Sequence, residues 1–117
     1  MIGETDKRNF LQKIIDETKS GKLSWERKWA TDPEYGSGYI YSANLKNDCI
    51  IEIFRYRNSS FMMGDVLPSF RLYVGTHNSQ YTSKQNDDFH KLLTNICILT
   101  DSIIQNDSDQ VILEYLK

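Results

Sequence analysis

Phe89-His90-Lys91-Leu92-Leu93-Thr94-Asn95-Ile96-Cys97-Ile98-Leu99-Thr100-Asp101-Ser102-Ile103-Ile104 decides the fold. Within it Phe89, Leu92, Leu93, Ile96, Cys97, Thr100, Ile103 and Ile104 recur at intervals of three and four residues. Steps of that size return side chains to one side of a 3.6-residue helix. The spacing predicts a long amphipathic helix from Asn86 or Asp87 to about Gln105, whose first-turn acids Asp87 and Asp88 suit the positive end of its dipole. A continuous apolar stripe of that length needs a surface to cover, and the preceding segments supply one.

A second helix is expected from about Asp6 to Ser20, because Phe10, Leu11, Ile14, Ile15 and Thr18 form one face. Thr5 or Asp6 can cap its start and Gly21 its end. From Lys22 to Trp29, Leu23 and Trp25 alternate with polar residues, as in a short strand or extended arm, and Asp32 to Gly38 has the composition of a loop. Tyr39–Leu45 and Cys49–Arg57 read as a hairpin joined by Lys46-Asn47-Asp48. Asn58 to Pro68, with Phe61, Met62 and Met63, reads as a turn or wider loop. Ser69–Gly75 is a strand with Phe70, Leu72 and Val74 inward, and Gln80–Ser83 a short fourth one. Asn106 to Asp109 is expected to break the long helix, leaving a short final helix with Val111, Ile112, Tyr115 and Leu116. The class is therefore α+β: an antiparallel sheet of about four strands, with the N-terminal and long C-terminal helices packed on one face.

A chain of 117 residues, 39% hydrophobic, has material for one core, so residues 1–117 are read as a single domain. The net charge of −2 argues against nonspecific attraction to nucleic acid or anionic membrane. Charge is unevenly placed: seven basic and five acidic residues fall in 1–30, two basic and six acidic in 86–117. The opening Met1-Ile2-Gly3-Glu4-Thr5-Asp6 lacks the apolar core of a signal peptide. No run approaches the roughly 18 apolar residues of a membrane span, so a cytoplasmic protein away from membranes is expected. Cys49 and Cys97, each among apolar neighbours, then read as buried free thiols rather than a disulfide.

Two constellations are candidates for binding. In Trp25-Glu26-Arg27-Lys28-Trp29 two indoles sit four residues apart around three charges, able to stack on a base, a peptide or a ring ligand, with Arg27 adding a guanidinium. The plain alternative has Trp25 plugging the sheet edge and Trp29 covering a loop. Arg55, Tyr56 and Arg57, with Arg71 and Tyr73, lie opposite Tyr39 and Tyr41. If the helices cover one side of the sheet, the other would display arginines interleaved with tyrosines. Cross-strand aromatic packing with solvated arginines explains the same residues. The alternation in this strand is imperfect, with Ile50 and Phe54 on one side and Ile51, Ile53, Arg55 and Arg57 on the other.

Catalytic signatures are weak. His77 falls in a turn and His90 beside Asp87 and Asp88, with no nucleophile in a recognisable setting. A metal-independent nuclease would need His77 gathered with Arg55, Arg57, Tyr73 and Lys84. No metal-ligand spacing occurs, and Gly36-Ser37-Gly38 precedes a strand rather than a helix, so no metal or cofactor is expected.

Thr18-Lys19-Ser20-Gly21-Lys22-Leu23-Ser24-Trp25, after the helix face Phe10-Leu11 to Ile14-Ile15, resembles the opening of small bacterial proteins with a T-x-x-G-K-[IL]-x-W pattern, often encoded on phages or other mobile elements. The resemblance covers about the first 30 residues and implies a helix-then-sheet layout. It carries over no catalytic residue. The abundance of Asn, Ile, Ser and Lys fits such an origin. Together these features point to a small non-enzymatic protein that binds another macromolecule, most plausibly a protein, as an accessory, immunity or counter-defence factor. Its surface would combine Trp25, Arg27 and Trp29 with Arg55, Tyr56, Arg57, Arg71 and Tyr73. Asp101, Asp107, Asp109 and Glu114 offer an acidic second surface, and a homodimer through a sheet edge or the Phe61-Met62-Met63 loop is a further expectation. A single-stranded nucleic-acid binder is the alternative, disfavoured by the net charge.

Overall fold

Gly21 ends the first helix as the sequence predicts. The computed structural model describes residues 2–57, 68–82 and 86–117. Helix α1 spans Glu4–Lys19, and its first turn is closed by the Gly3 amide donating to the Asp6 carboxylate at 3.2 Å. At its other end Gly21 takes φ +79°, which lets the Lys22 amide reach the Glu17 carbonyl at 2.9 Å and the Gly21 amide the Thr18 carbonyl at 3.3 Å. That paired return satisfies carbonyls the helix leaves open.

The chain then forms one antiparallel meander of five strands in sequence order: β1 Trp25–Asp32, β2 Gly36–Asn44, β3 Ile50–Arg57, β4 Ser69–Val74 and β5 His77–Tyr81. The class is α+β as expected, with five strands rather than about four. The added one is the segment read as a short strand or extended arm, which pairs with β2 from Trp25 opposite Ala43 to Asp32 opposite Gly36. The expected loop shrinks because Asp32 accepts from the amides of Glu34 at 2.8 Å and Tyr35 at 3.0 Å, a side-chain turn that needs few residues. Strand β5 starts at His77, three residues before the expected Gln80, since Gly75 and Thr76 suffice for the connection. The loop expected over Asn58 to Pro68 lies outside the described residues save Pro68, as does the Phe61-Met62-Met63 contact.

Helix α2 runs unbroken over Asp87–Tyr115 and passes the expected stop at Asn106 to Asp109. Those residues are mediocre helix formers, each costing only a few tenths of a kcal/mol, and none is Gly or Pro. The Gln105 amide also donates to the Asp109 carboxylate one turn on, at 3.0 Å.

Strand register sorts the side chains into rows across the sheet. On the helix-bearing face one row is Trp25, Ala43, Ile51, Val74 and His77, the next Arg27, Tyr41, Ile53, Leu72 and Ser79, and the third Trp29, Tyr39, Arg55, Phe70 and Tyr81. The core lies between these rows and the helices, formed by Leu11, Ile14 and Ile15 of α1 and Phe89, Leu93, Ile96 and Cys97 of α2. Trp25 is fixed to α1 by its indole N–H, which donates to the Thr18 hydroxyl at 2.9 Å, while that hydroxyl donates to the Ile14 carbonyl at 2.7 Å.

Both cysteines are free. Cys97 is fully buried, but Cys49, at the mouth of β3, is only partly so. Burial pushes the Cys97 thiol up from 9.0 to about 12, so the folded protein holds that proton more tightly than the unfolded chain does. Stability is therefore lost as pH rises from about 9 towards 12. A disulfide reagent at neutral pH should titrate Cys49 first and Cys97 roughly 10³-fold or more slowly, at the rate of opening. Equal rates for the two thiols would contradict this burial.

Candidate functional site

Asp101 of α2 comes down on the sheet between Arg27 of β1 and Arg55 of β3. One of its oxygens accepts from Arg27 Nη1 at 2.9 Å and from the Tyr41 hydroxyl at 2.9 Å, and the other lies 3.6 Å from Arg55 Nη2. Each guanidinium also lies over a ring, Arg27 4.6 Å from the Tyr39 centroid and Arg55 5.4 Å from that of Tyr41. Tyr39 in turn meets Trp29 edge to face, with centroids 5.0 Å apart. Arg57, two residues beyond Arg55 on the same face, is exposed.

Cation and ring therefore alternate across one end of the helix-bearing face. Trp29 is its most open apolar member at 60% exposure. Two guanidiniums meet the carboxylate and that of Arg57 shares the face, which leaves the corner net positive in a chain of net charge −2. The hydrogen bond to Asp101 outweighs partial burial and holds Arg27 above its ordinary pKa. Burial, then the neighbouring Cys97 and the bond to Asp101, raises Tyr41, so its phenol stays protonated and can only donate to that carboxylate.

The residues expected to form one exposed surface are thus divided between two. Trp25, Arg27, Trp29, Arg55 and Arg57 are on the helix-bearing face, whereas Tyr56, Arg71 and Tyr73 are on the reverse. The odd alternation of β3 explains the split, because Arg55 and Arg57 follow Ile51 and Ile53 towards the helices. On the reverse side the polar groups engage one another. Arg71 donates to the Tyr73 hydroxyl at 3.2 Å and to Asn78 at 2.7 Å and lies 4.5 Å from the Tyr35 centroid. Burial alone would lower the Arg71 pKa, yet the bond to Tyr73 and the surrounding phenols raise it overall. Tyr56 is 3% exposed and its hydroxyl accepts from Gln80 at 2.6 Å. Trp25 is likewise committed to Thr18.

The histidines go elsewhere. His90 is buried, its Nε2 2.8 Å from the Pro68 carbonyl and its ring against Phe70, which is a packing role. His77 lies beside a groove with Phe10, Val74 and Tyr81, two rows away from Arg55. Tyr73 faces the other side, and Lys84 lies outside the described residues. Among the described residues the structure does not bring these groups together. Among the described residues no three His, Cys, Asp or Glu could hold a metal ion, and no helix is long and apolar enough to cross a membrane.

Sequence reasoning placed Asp101 on an acidic surface and missed its role beneath the arginines. A signal was available, since Asp101 follows Leu93 and Cys97 at four-residue steps and so carries a charge at the edge of the buried stripe. Comparison with family models, curated proteins and solved structures finds no match to this chain.

Proposed function

We propose that the chain is a small binding protein without catalytic activity of its own, whose partner is another protein met at the Trp29 corner. The observation that carries this reading is the exposed indole of Trp29 set among the guanidiniums of Arg27, Arg55 and Arg57. An open Trp flanked by arginines on a rigid sheet is the composition of an interaction hot spot. The excess positive charge favours an acidic partner surface with one apolar side chain to receive the indole. The T-x-x-G-K-[IL]-x-W opening supports an accessory, immunity or counter-defence role on a mobile element.

Trp29→Ala combined with Arg57→Ala should weaken partner capture from host extract at least roughly 10-fold, as hot-spot truncations do, with the thermal midpoint unchanged. Both side chains are exposed, so a loss of fold is not expected. Undiminished capture by the double variant would overturn the reading. The same indole and guanidiniums also suit a single-stranded nucleic acid stacked on Trp29, the second reading. Capture that disappears with nuclease and falls steeply with salt would select it over a protein partner.

A further inference from the structure

From Gln105 to the end of α2 and through the two residues after it every position is exposed, Val111 at 53%, Ile112 at 58%, Tyr115 at 89% and Leu116 at 77%. Val111 and Tyr115 stand seven and eleven residues beyond Ile104, so they continue the stripe that packs on the sheet further back. The stripe outlasts its cover by three turns. Interleaved with it are Asp107, Asp109 and Glu114, against one base, Lys117.

A complementary surface exists on the same molecule. Beside α1 a groove of about 630 Å³ has Phe10, Leu23, Leu45 and Cys49 in its lining and Lys13, Lys22 and Lys46 around it, with Glu17 as its one acid. In its own copy the extension is exposed throughout and does not occupy this groove. Leu23 also lines the hollow at the root of the extension, with Ile104 and Asp107, so the two surfaces are contiguous.

We propose that two copies of this chain associate reciprocally, the α2 extension of each lying in the lysine-rimmed groove beside α1 of the other. The stripe supplies the apolar surface, and acids on the helix meet lysines around the groove. A two-fold axis makes the contact twice, which brings a short helix contact towards the roughly 1,200–2,000 Å² of a stable interface. Pairing of the two extensions with each other is disfavoured, because it would set like-charged helices side by side.

The test is a charge exchange on the full chain, read by sedimentation. The wild type should weigh twice its 13.7 kDa at high concentration. Asp109→Lys/Glu114→Lys and, separately, Lys13→Glu/Lys46→Glu should each give monomers of unchanged thermal midpoint, since all four positions are exposed. An equimolar mixture of the two variants should recover the doubled mass, because every contact in the mixed pair again joins opposite charges. A monomeric wild type, either variant remaining dimeric, or a mixture that stays monomeric would each overturn the proposal.

Discussion

Asp101→Ala should destabilise the protein by about 2–4 kcal/mol and lower its thermal midpoint by roughly 10–20 °C. The cost comes from three partners that lose one carboxylate together. The Tyr41 hydroxyl donates to Asp101 at 2.9 Å, and the Tyr41 residue is 0% exposed, so without an acceptor the donor stays desolvated, which costs about 1–3 kcal/mol. The arginines lose less. Their side chains keep 29% and 27% exposure, so water replaces much of the lost attraction and each contributes less than about 1 kcal/mol. Tyr41→Phe removes the donor as well as its need. The double variant should therefore be less destabilised than the two single losses summed, by about 1 kcal/mol or more in a urea-unfolding cycle. Additive losses, or an Asp101→Ala protein within about 0.5 kcal/mol of wild type, would mean that Asp101 does not organise this corner.

The same carboxylate links stability to the binding reading. Asp101 holds Arg27 and Arg55 in place beside Tyr39, and Trp29 packs on Tyr39 in turn. Its removal should weaken partner capture as well as the fold, whereas the Trp29 and Arg57 substitutions should affect capture alone. That separation tells a positioning group from a contacting one.

What was legible in the sequence was what periodicity encodes. The stripe from Phe89 to Thr100 faces the core where it should, and Leu11, Ile14, Ile15 and Thr18 are buried in the order their spacing predicts. The fifth strand is legible only as a short strand or extended arm at Lys22 to Trp29, because β1 is an edge whose burial is slight, leaving Trp25 as the main sign of a side facing inward. The continuation of α2 was hidden because polar residues at Asn106 to Asp109 lower helix propensity without forbidding it. The site was legible in kind but not in place. Arg and Tyr were recognised as a binding composition, yet in β3 both sides carry large apolar groups, Ile51 and Ile53 on one and Phe54 on the other, so alternation alone could not assign Arg55 to a face. Only register with β2, which sets Arg55 beside Tyr39, and the arrival of Asp101 from far along the chain make that assignment.

Gly38→Ala is expected to cost far more than the same change at Gly21 or Gly75. A Cβ there would collide with the Arg55 carbonyl oxygen and lie 2.7 Å from its carbon and 2.8 Å from the Tyr56 Cα, all backbone atoms of the neighbouring strand. None can rotate away, so relief requires β2 and β3 to part where Gly38 pairs with Tyr56. Gly21→Ala gives a useful scale. It meets nothing within 4 Å, and its penalty is confined to the left-handed backbone at φ +79°, about 1–2 kcal/mol. The Gly38 variant should exceed that by a factor of two or more, a large share of the roughly 5–15 kcal/mol that holds a domain folded. Thermal unfolding should rank the variants Gly38→Ala far below Gly21→Ala and both below wild type, and a reversed order would mean that the strands do not approach so closely. The residues on either side of this contact explain why the close approach matters. Tyr39 follows Gly38 and Arg55 precedes Tyr56, so the pinch that only glycine permits also sets a phenol and a guanidinium side by side on the opposite face. Forcing the strands apart would unmake the Trp29 corner before the rest of the sheet gave way.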